Sequence, residues 1–463
     1  MYKFDFEKPI KVHFIGIGGI SMSSLAHILL HRGFKVSGSD RAPSELTDML
    51  RKEGAEIYFP QSAENIKPDV DLTVYTAAIS EDDPELNAAR QNGPVLTRAE
   101  FLGQIMACYR NSIAVAGTHG KTTTTSMLSH ILTCGELDPT VTVGGILNSI
   151  GGNTRLGGDD VFLAEACEYT NSFLNFFPKY DVILNVEEDH LDFFKDINDI
   201  RNSFGKFASQ ASKDGAVIIG GDIEGLSDIL KDVSARIITF GKDKNSDYYP
   251  KDITYNEKGC ASFTLWDKDG AICEISLGVP GEHNVLNALA ACALALEMGI
   301  PAESIAAGLA TFTGTGRRFE YKGEINGITI IDDYAHHPTE IKATINAALK
   351  YPHDRLVVAF QPHTYTRTAA LLDDFAKALS AADIVLLADI YAAREINKTG
   401  ITSEAIKDAM GDCEIVVKYL GSFEKIEQFI LEKCHKNDLL ITMGAGNIVE
   451  VGENLLKKDL STT

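Results

Sequence analysis

Ala114-Val115-Ala116-Gly117-Thr118-His119-Gly120-Lys121-Thr122-Thr123-Thr124 is the stretch around which the chain is organised. The apolar run Ile113 to Ala116 predicts a buried parallel strand. Two glycines then free the backbone, and Lys121-Thr122 opens a segment whose apolar residues Met127, Leu128, Ile131 and Leu132 follow helical spacing. Strand, glycine turn and helix in that order aim backbone N–H groups and a helix N-terminus at one point, which suits a phosphate. In a P-loop the lysine reaches the outer phosphates and the next hydroxyl ligates Mg²⁺. The loop here is the tighter Gly-Thr-x-Gly-Lys-Thr form, because Val115 stands five residues before Gly120 where the longer pattern has glycine.

Around this stretch lie 463 residues, too many for one core, so roughly three domains are expected. Apolar residues at 44% and charged residues at 23% are ordinary for a globular protein. A formal charge of −22 with no basic block to offset it argues against nucleic acid as a partner. None of the eight cysteines falls in a CxxC pair, which points to reduced thiols and not to a disulfide or zinc framework. The stretch Met1 to Pro9 is polar, and the longest apolar run, Ala288 to Leu296, is far below the ~20 residues a membrane span needs. A cytoplasmic protein without membrane insertion is expected.

Upstream, the strand Lys11 to Ile15 leads into Gly16-Ile17-Gly18-Gly19-Ile20-Ser21, a helix to about His31, and a second strand, Lys35 to Ser37, ending near Asp40. A βαβ opening with a glycine turn and an acidic residue about 20 positions on reads as a Rossmann-like site for a nucleotide diphosphate. Ser21 replaces the third glycine of the dinucleotide fingerprint, which argues against NAD. Further strands at Glu56 to Phe59 and Leu72 to Thr76 complete a small α/β domain ending around Met106 to Arg110.

Downstream, two apolar strands carry polar tips. Val161 to Ala164 leads into Glu165-Ala166-Cys167-Glu168, and Asp181 to Asn185 leads into Val186-Glu187-Glu188-Asp189-His190-Leu191-Asp192. Carboxylates and an imidazole delivered to the edge that holds a P-loop are what a Mg²⁺–triphosphate site requires. The alternation in Ile253 to Leu277 reads as antiparallel hairpins. Gly281-Glu282-His283-Asn284 then opens an alanine-rich helix whose Asn284 and Asn287 share a face, either as caps or as readers of a base. After a boundary at Thr311 to Gly316, a hairpin turns at Asn326-Gly327. Four apolar strands then end in Asp332 to Pro338, Gln361 to Arg367, Asp389 to Glu395 and Gly444 to Asn447, which describes a parallel sheet with its working edge at the strand C-termini.

With these residues in hand, the chain resembles the Mur ligases over nearly its whole length. Gly-Thr-His-Gly-Lys-Thr (117–122), Glu-Asp-His (188–190), His-Asn-x-x-Asn (283–287), Arg-Arg-Phe-Glu (317–320) and Asp-Asp-Tyr-Ala-His-His-Pro (332–338) occur in that family's order. Residues 16–22 and Ser37 to Asp40 resemble its UDP-sugar domain. Asp-Asp-Tyr-x-His-His-Pro together with Gln-Pro-His-x-Tyr-x-Arg is similar to the alanine-adding branch.

The resemblance implies an α/β fold of three domains. These are a Rossmann-like UDP-sugar domain (1–109), a central P-loop ATPase-like ATP domain with antiparallel hairpins (110–314), and a C-terminal Rossmann-like amino-acid domain (315–463). The implied chemistry is ATP-dependent amide formation with Mg²⁺. The lactyl carboxylate of UDP-N-acetylmuramate takes the γ-phosphoryl group, and the amine of L-alanine then displaces phosphate from the acyl phosphate. The partners are thus these two small molecules, the protein being a monomer or homodimer.

Carried over residue by residue, Lys121, Glu165 and His190 form the catalytic set, and Thr122, Glu165 and His190 hold metal. ATP is met by Gly117, Thr118, His119, Gly120, Lys121, Thr122 and Thr123, by Asn284 and Asn287 at the adenine, by Arg318 at the phosphates and by Asp333 at the ribose. Gly16, Gly18, Gly19, Ile20, Ser21 and Asp40 face the UDP-sugar. Tyr334, His336 and Arg367 receive the amino acid.

The sequence departs from the family at Cys167 and Tyr169, where many relatives have Asp-Glu-Ser, so Glu165, with Glu168 beside it, carries the acidic role. Thr364 stands where some relatives have a second arginine, which leaves a single-arginine clamp. No lysine can be matched to the carbamylated lysine of sister ligases. Rival readings are a wall-recycling ligase that attaches a preformed peptide to UDP-N-acetylmuramate, an NAD-dependent oxidoreductase resting only on residues 16–40, and a non-catalytic nucleotide-binding regulator.

Overall fold

Strands covered on both faces must be apolar throughout, and the fully buried runs Val161–Ala164, Ala216–Gly220, Leu356–Phe360 and Leu439–Met443 meet that condition in parallel sheets. The structure, a computed structural model, describes residues 2–147, 152–190, 193–393, 395–398, 400–411 and 414–460. Leu191, Asp192 and Arg394 of the polar tips lie outside the described residues. The chain divides into two compact units. One comprises Met1–Tyr249, Trp266–Gly270 and Asn287–Gly308; the other comprises Pro250–Leu265, Ala271–Leu286 and Leu309–Thr463.

The first unit holds two sheets. One has five parallel strands in the spatial order Glu56–Tyr58, Lys35–Ser39, Lys11–Ile15, Leu72–Tyr75, Val95–Thr97. The other places the P-loop strand Asn111–Ala116 between Tyr180–Ile183 and Val161–Glu165, parallel to both. Ala216–Gly220 and Arg236–Phe240 extend it on one side. On the other, Thr140–Leu147 pairs in parallel and Gly152–Arg155 closes the edge antiparallel. Phe162, Phe173, Phe176, Phe204 and Phe207, each at most 1% exposed, pack one continuous core with the apolar strands.

Since neighbouring parallel strands run the same way, Gly117, Glu168 and Asn185 all leave the second sheet at one edge. Register makes this concrete: Val115 pairs with Glu165, and Ala116 with Ile183. The second unit repeats the logic in six strands ordered Glu320–Ile325, Ile328–Asp333, Leu439–Met443, Leu356–Phe360, Ile384–Ala388, Val416–Gly421, with only the first antiparallel. Tyr249–Tyr255, Cys260–Asp267 and Gly270–Pro280 form a separate three-stranded sheet. The anticipated α/β class with parallel sheets is the architecture observed.

Candidate active site

Two glycines shape the turn after Ala116. Gly117 adopts φ +142° and Gly120 φ +86°, conformations that disfavour any side chain. A Cβ on Gly117 would come within 2.9 Å of Leu184 Cβ, and one on Gly120 within 2.5 Å of Asn287 Oδ1. The loop is fastened to the neighbouring strand tip. His119 N donates to Asn185 Oδ1 (2.8 Å), Asn185 Nδ2 donates back to His119 O (3.1 Å), and Glu187 N donates to Thr118 Oγ1 (2.9 Å). The helix Lys121–Cys134 begins on Gly120 with no side-chain cap, whereas Thr97 and Glu100 form a capping box on helix Arg98–Met106.

Lys121 folds back over this turn. Its ammonium donates to Gly117 O, to Thr118 O (3.1 Å) and to both oxygens of Glu168 (3.0 and 3.2 Å). Burial disfavours the charge, but Glu168, with Cys167 and Glu165 nearby, outweighs it, and the lysine pKa stands above its ordinary value. Thr122 is buried (7% exposed) and its carbonyl accepts from Ser126 Oγ, while Thr123 is half-buried.

The two acidic residues of the first tip divide their work. Glu165 accepts from Gly144 N (2.7 Å). Glu168, only 3% exposed, is the carboxylate that meets both Lys121 and His190, whose Nε2 lies 3.7 Å away. His190 sits at φ +54°, rare for a non-glycine residue, with Phe193 N and Phe194 N both donating to its carbonyl and the Tyr169 ring 4.6 Å from its own. Among the described residues no group of three or more His, Cys, Asp or Glu is arranged to hold a metal. Mg²⁺ does not require one, since it keeps several waters and phosphate oxygens and takes only one or two carboxylates. Glu168, Glu165, His190 and the Thr122 hydroxyl supply donors that fit such an ion.

The first glycine turn lies in the same unit. Gly16 has φ +86°, its N and Ile17 N both donate to Ser39 O, and Gly18 N donates to Asp40 Oδ2 (2.7 Å). Gly19 starts helix Ile20–His31 without a side-chain cap. Ile20 O accepts from Asn153 Nδ2 (2.7 Å). Ser21 Oγ accepts from Arg98 (3.1 Å), a guanidinium whose pKa is lowered by burial and partly restored by Cys167. Arg98 thus stands between the first glycine turn and the residue preceding Glu168.

In the second unit, Asp333 accepts from Phe319 N (2.8 Å) and Ala335 N (2.7 Å). Burial raises its pKa to about 6 against the opposing pull of Arg318 and those two amides. The arginine doublet is split in role. Arg317 is engaged by Asp332 (2.9 Å), Gly446 O (2.9 Å) and Gly444 O (2.7 Å). Arg318 leans over the Tyr334 ring (5.3 Å) and reaches Glu340 only at 4.0 Å. His336 Nδ1 lies 3.0 Å from Tyr334 O, and its ring neighbours His363 (5.6 Å between centroids), which Arg367 contacts at 3.2 Å. Tyr334, His336 and Arg367 are thereby brought to one strand edge. Asn284, the other residue expected at the adenine, donates from Nδ2 to Pro280 O (2.7 Å), which ties the helix start to the strand before it.

Sequence reasoning passed over Asn185, Arg98 and Glu340 and gave Glu168 second place. Asn185 was visible as the last residue of the run Asp181 to Asn185, whose strand ends at Ile183. Arg98 follows Thr97 at a capping-box start, where a basic residue has no local use.

Three family models match consecutive parts of the chain. The Mur ligase family catalytic domain matches residues 11–110, the Mur ligase middle domain 115–295, and the Mur ligase glutamate ligase domain 317–446. The UDP-N-acetylmuramate–L-alanine ligase of Agathobacter rectalis is 59% identical, covering 99% of this chain and 100% of that one. That of Lachnospira eligens is 57% identical with the same coverage. Among solved structures, the UDP-N-acetylmuramate–alanine ligase MurC of Thermotoga maritima is 30% identical with a TM-score of 0.82, covering 98% of this chain and 100% of that chain. The murein peptide ligase mpl of Psychrobacter arcticus is 27% identical with a TM-score of 0.72, covering 97% and 98%.

Proposed function

The chain belongs to the Mur ligase family, and we propose that it joins L-alanine to the lactyl carboxylate of UDP-N-acetylmuramate at the expense of ATP. Full-length identity of 59% to a ligase named for that reaction is the observation that carries this reading. The reaction has two steps. A carboxylate oxygen forms a bond to the γ-phosphorus as the bond to the β-phosphate oxygen breaks, giving acyl phosphate and ADP. The alanine nitrogen then bonds to the acyl carbon as phosphate leaves with its bridging oxygen. Both steps concentrate negative charge, so positioned cations and backbone donors carry the catalysis.

In this reading Lys121 faces the migrating phosphoryl group. Its ties to Gly117 O and Thr118 O fix the ammonium, and Glu168 keeps it charged. The turn's N–H groups and the uncapped helix start hold the triphosphate. Mg²⁺, held by Thr122, Glu165, Glu168 and His190, would supply charge neutralisation on the phosphates. Gly16, Gly18, Gly19, Ile20, Ser21 and Asp40 bind the UDP-sugar, and Arg98 guides its acid toward the P-loop. Asn287, against Gly120, and Asn284 serve the adenine. Arg318 serves the phosphates, Asp333 the ribose, and Tyr334, His336 and Arg367 the amino acid. Residues 1–109, 110–314 and 315–463 are the proposed domains for these three tasks. The cytoplasm is the proposed compartment: the cysteines among the described residues are free, and no helix among them is long and apolar enough to cross a membrane.

Phosphate release from ATP and UDP-N-acetylmuramate, measured with L-alanine or with a tripeptide, tests the reading. Alanine-dependent release is expected. Release with the tripeptide alone would replace it with the recycling reaction, and nucleotide binding without alanine-stimulated release would leave a regulator.

A further inference from the structure

We propose that Glu395 is a positioning residue for amino-acid recognition, holding a strained turn so that Arg367 meets the substrate carboxylate. The proposal rests on the assignment of L-alanine to the edge that carries Arg367. Thr364 adopts φ +64° and ψ +146°, a region open to glycine and costly for a β-branched residue. Such strain persists only where neighbouring contacts impose it, and here they are identifiable.

Behind Thr364, the segment is pinned by Thr364 N donating to Tyr391 O (2.9 Å) and Tyr391 N donating to Pro362 O (2.9 Å), with the His363 and Tyr391 rings stacked at 5.8 Å. Ahead of it, the short helix Tyr365–Ala370 has no cap from Thr364 itself. Glu395, 30 residues on, takes that role. Its Oε2 accepts from Tyr365 N (2.7 Å) and Thr366 N (3.0 Å), and its Oε1 accepts from the Thr366 hydroxyl. Burial would push this carboxyl's pKa up, but the Thr366 and Tyr365 donors and the nearby His363 bring it below its ordinary value. Thr364 O in turn accepts from Thr368 N (3.2 Å) and Thr368 Oγ1 (2.6 Å), closing the turn on the far side.

Arg367 rides on this turn between Thr366, which Glu395 holds, and Thr368, which Thr364 holds. A guanidinium recognises a carboxylate through two parallel bonds, so its orientation matters as much as its charge. With Thr364 in place of a second arginine, this single side chain carries the recognition, and the carboxylate that orients it sets the affinity for the amino acid. Without Glu395 the strained Thr364 is free to relax, and the arginine swings away from its contact with His363.

The test uses the full-length enzyme and initial-rate kinetics for all three substrates. Glu395→Ala is expected to raise the KM for L-alanine on the order of 10–100-fold, as misplacement of a binding group does. The KM values for ATP and UDP-N-acetylmuramate should stay within about twofold. Glu395→Gln, whose amide can accept from both backbone N–H groups and donate to the Thr366 hydroxyl, should stay near wild type. Thr364→Gly, which removes the strain, should bring the Glu395→Ala variant back toward the wild-type alanine KM. If Glu395→Ala does not fold, an alanine-selective rise in KM for Glu395→Asp, whose shorter chain cannot reach both amides, takes its place. Equal effects on all three substrates, or no recovery with Thr364→Gly, would overturn the proposal. Wild-type protein that does not turn over with L-alanine would instead overturn the substrate assignment on which it rests.

Discussion

The two glycine turns of the first unit share a backbone plan and differ in the charge set against it. Residues 16–19 and 117–120 each leave a parallel strand through a glycine at positive φ and start a helix on an uncapped glycine, Gly19 or Gly120. At the first, a carboxylate occupies the turn: Gly18 N is bonded to Asp40 Oδ2. At the second, an ammonium lies across it, with Asn185 holding the flank. A fixed negative charge at a turn tempers its attraction for phosphate, whereas a lysine adds to it. In the proposed function the shared geometry serves docking at the first turn and reaction at the second. A strand–glycine–helix unit is a scaffold whose task is decided by the side chains placed beside it.

The sharpest way to break this contrast is Lys121→Ala, which removes the ammonium that the proposed reaction sets against the migrating charge. Acyl phosphate formation should fall at least ~10²-fold in kcat, about 3 kcal/mol, read by single-turnover quench. Wild-type-like rates would sink the assignment. Next come the glycines. Gly120→Ala places a side chain at φ +86° and against Asn287 Oδ1, so ATP turnover should drop by about tenfold or more, equivalent to 1–2 kcal/mol of strain. Gly18→Ala lacks the positive φ and meets chiefly the movable end of Asp40, so kcat should hold while the KM for the UDP-sugar rises roughly tenfold. Reversed sensitivities would refute the division of labour.

A carboxylate resting on backbone N–H groups recurs in the second unit at Asp333, and here pH discriminates. Its pKa of about 6 means the charged form fills in as pH rises through that value. The kcat/KM for ATP should then decline several-fold as pH drops below about 6, with a single ionisation. Asp333→Asn should flatten the profile at the low-pH level; an unchanged profile would remove Asp333 from ATP binding.

Asp181 shows a carboxylate in the opposite situation. It lies in the strand beside the P-loop strand, fully buried, and neither oxygen has a hydrogen-bond partner among the described residues. Burial drives its pKa well above the ordinary 3.8, so the unfolded chain releases this proton first. The contribution of this group to stability is therefore full below about pH 4 and is lost as pH rises toward the folded-state pKa. Asp181→Val should stabilise the protein at neutral pH by about 1–2 kcal/mol without altering turnover, measured by denaturant unfolding. A destabilised variant would mean the group has a structural use.

Much of this was legible in the sequence. Buried parallel strands announce themselves as apolar runs, and the polar tips that follow them fall on sheet edges because parallel strands share a direction. The strands at Val95–Thr97 and Gly152–Arg155 were not anticipated, since short or polar edge strands lack the apolar signature and are fixed by their neighbours, whereas Ala216–Gly220 and Arg236–Phe240 carry that signature and were passed over. That Glu168, and not Glu165, bonds to Lys121 could not be read from the order of residues in the tip. Which carboxylate turns toward Lys121 depends on the chain's path through Ala166 and Cys167, and no periodicity encodes that. Likewise Arg317 and Arg318 are adjacent letters with different tasks, because only one of them faces Asp332 and the carbonyls of Gly444 and Gly446.

The central claim is that the terminal phosphoryl group at the Lys121 turn is taken by the sugar-borne acid. UDP-N-acetylmuramate labelled with ¹⁸O in its lactyl carboxylate measures this directly: with ATP and L-alanine, the account predicts one labelled oxygen in each inorganic phosphate released. Unlabelled phosphate accompanying amide formation would contradict it.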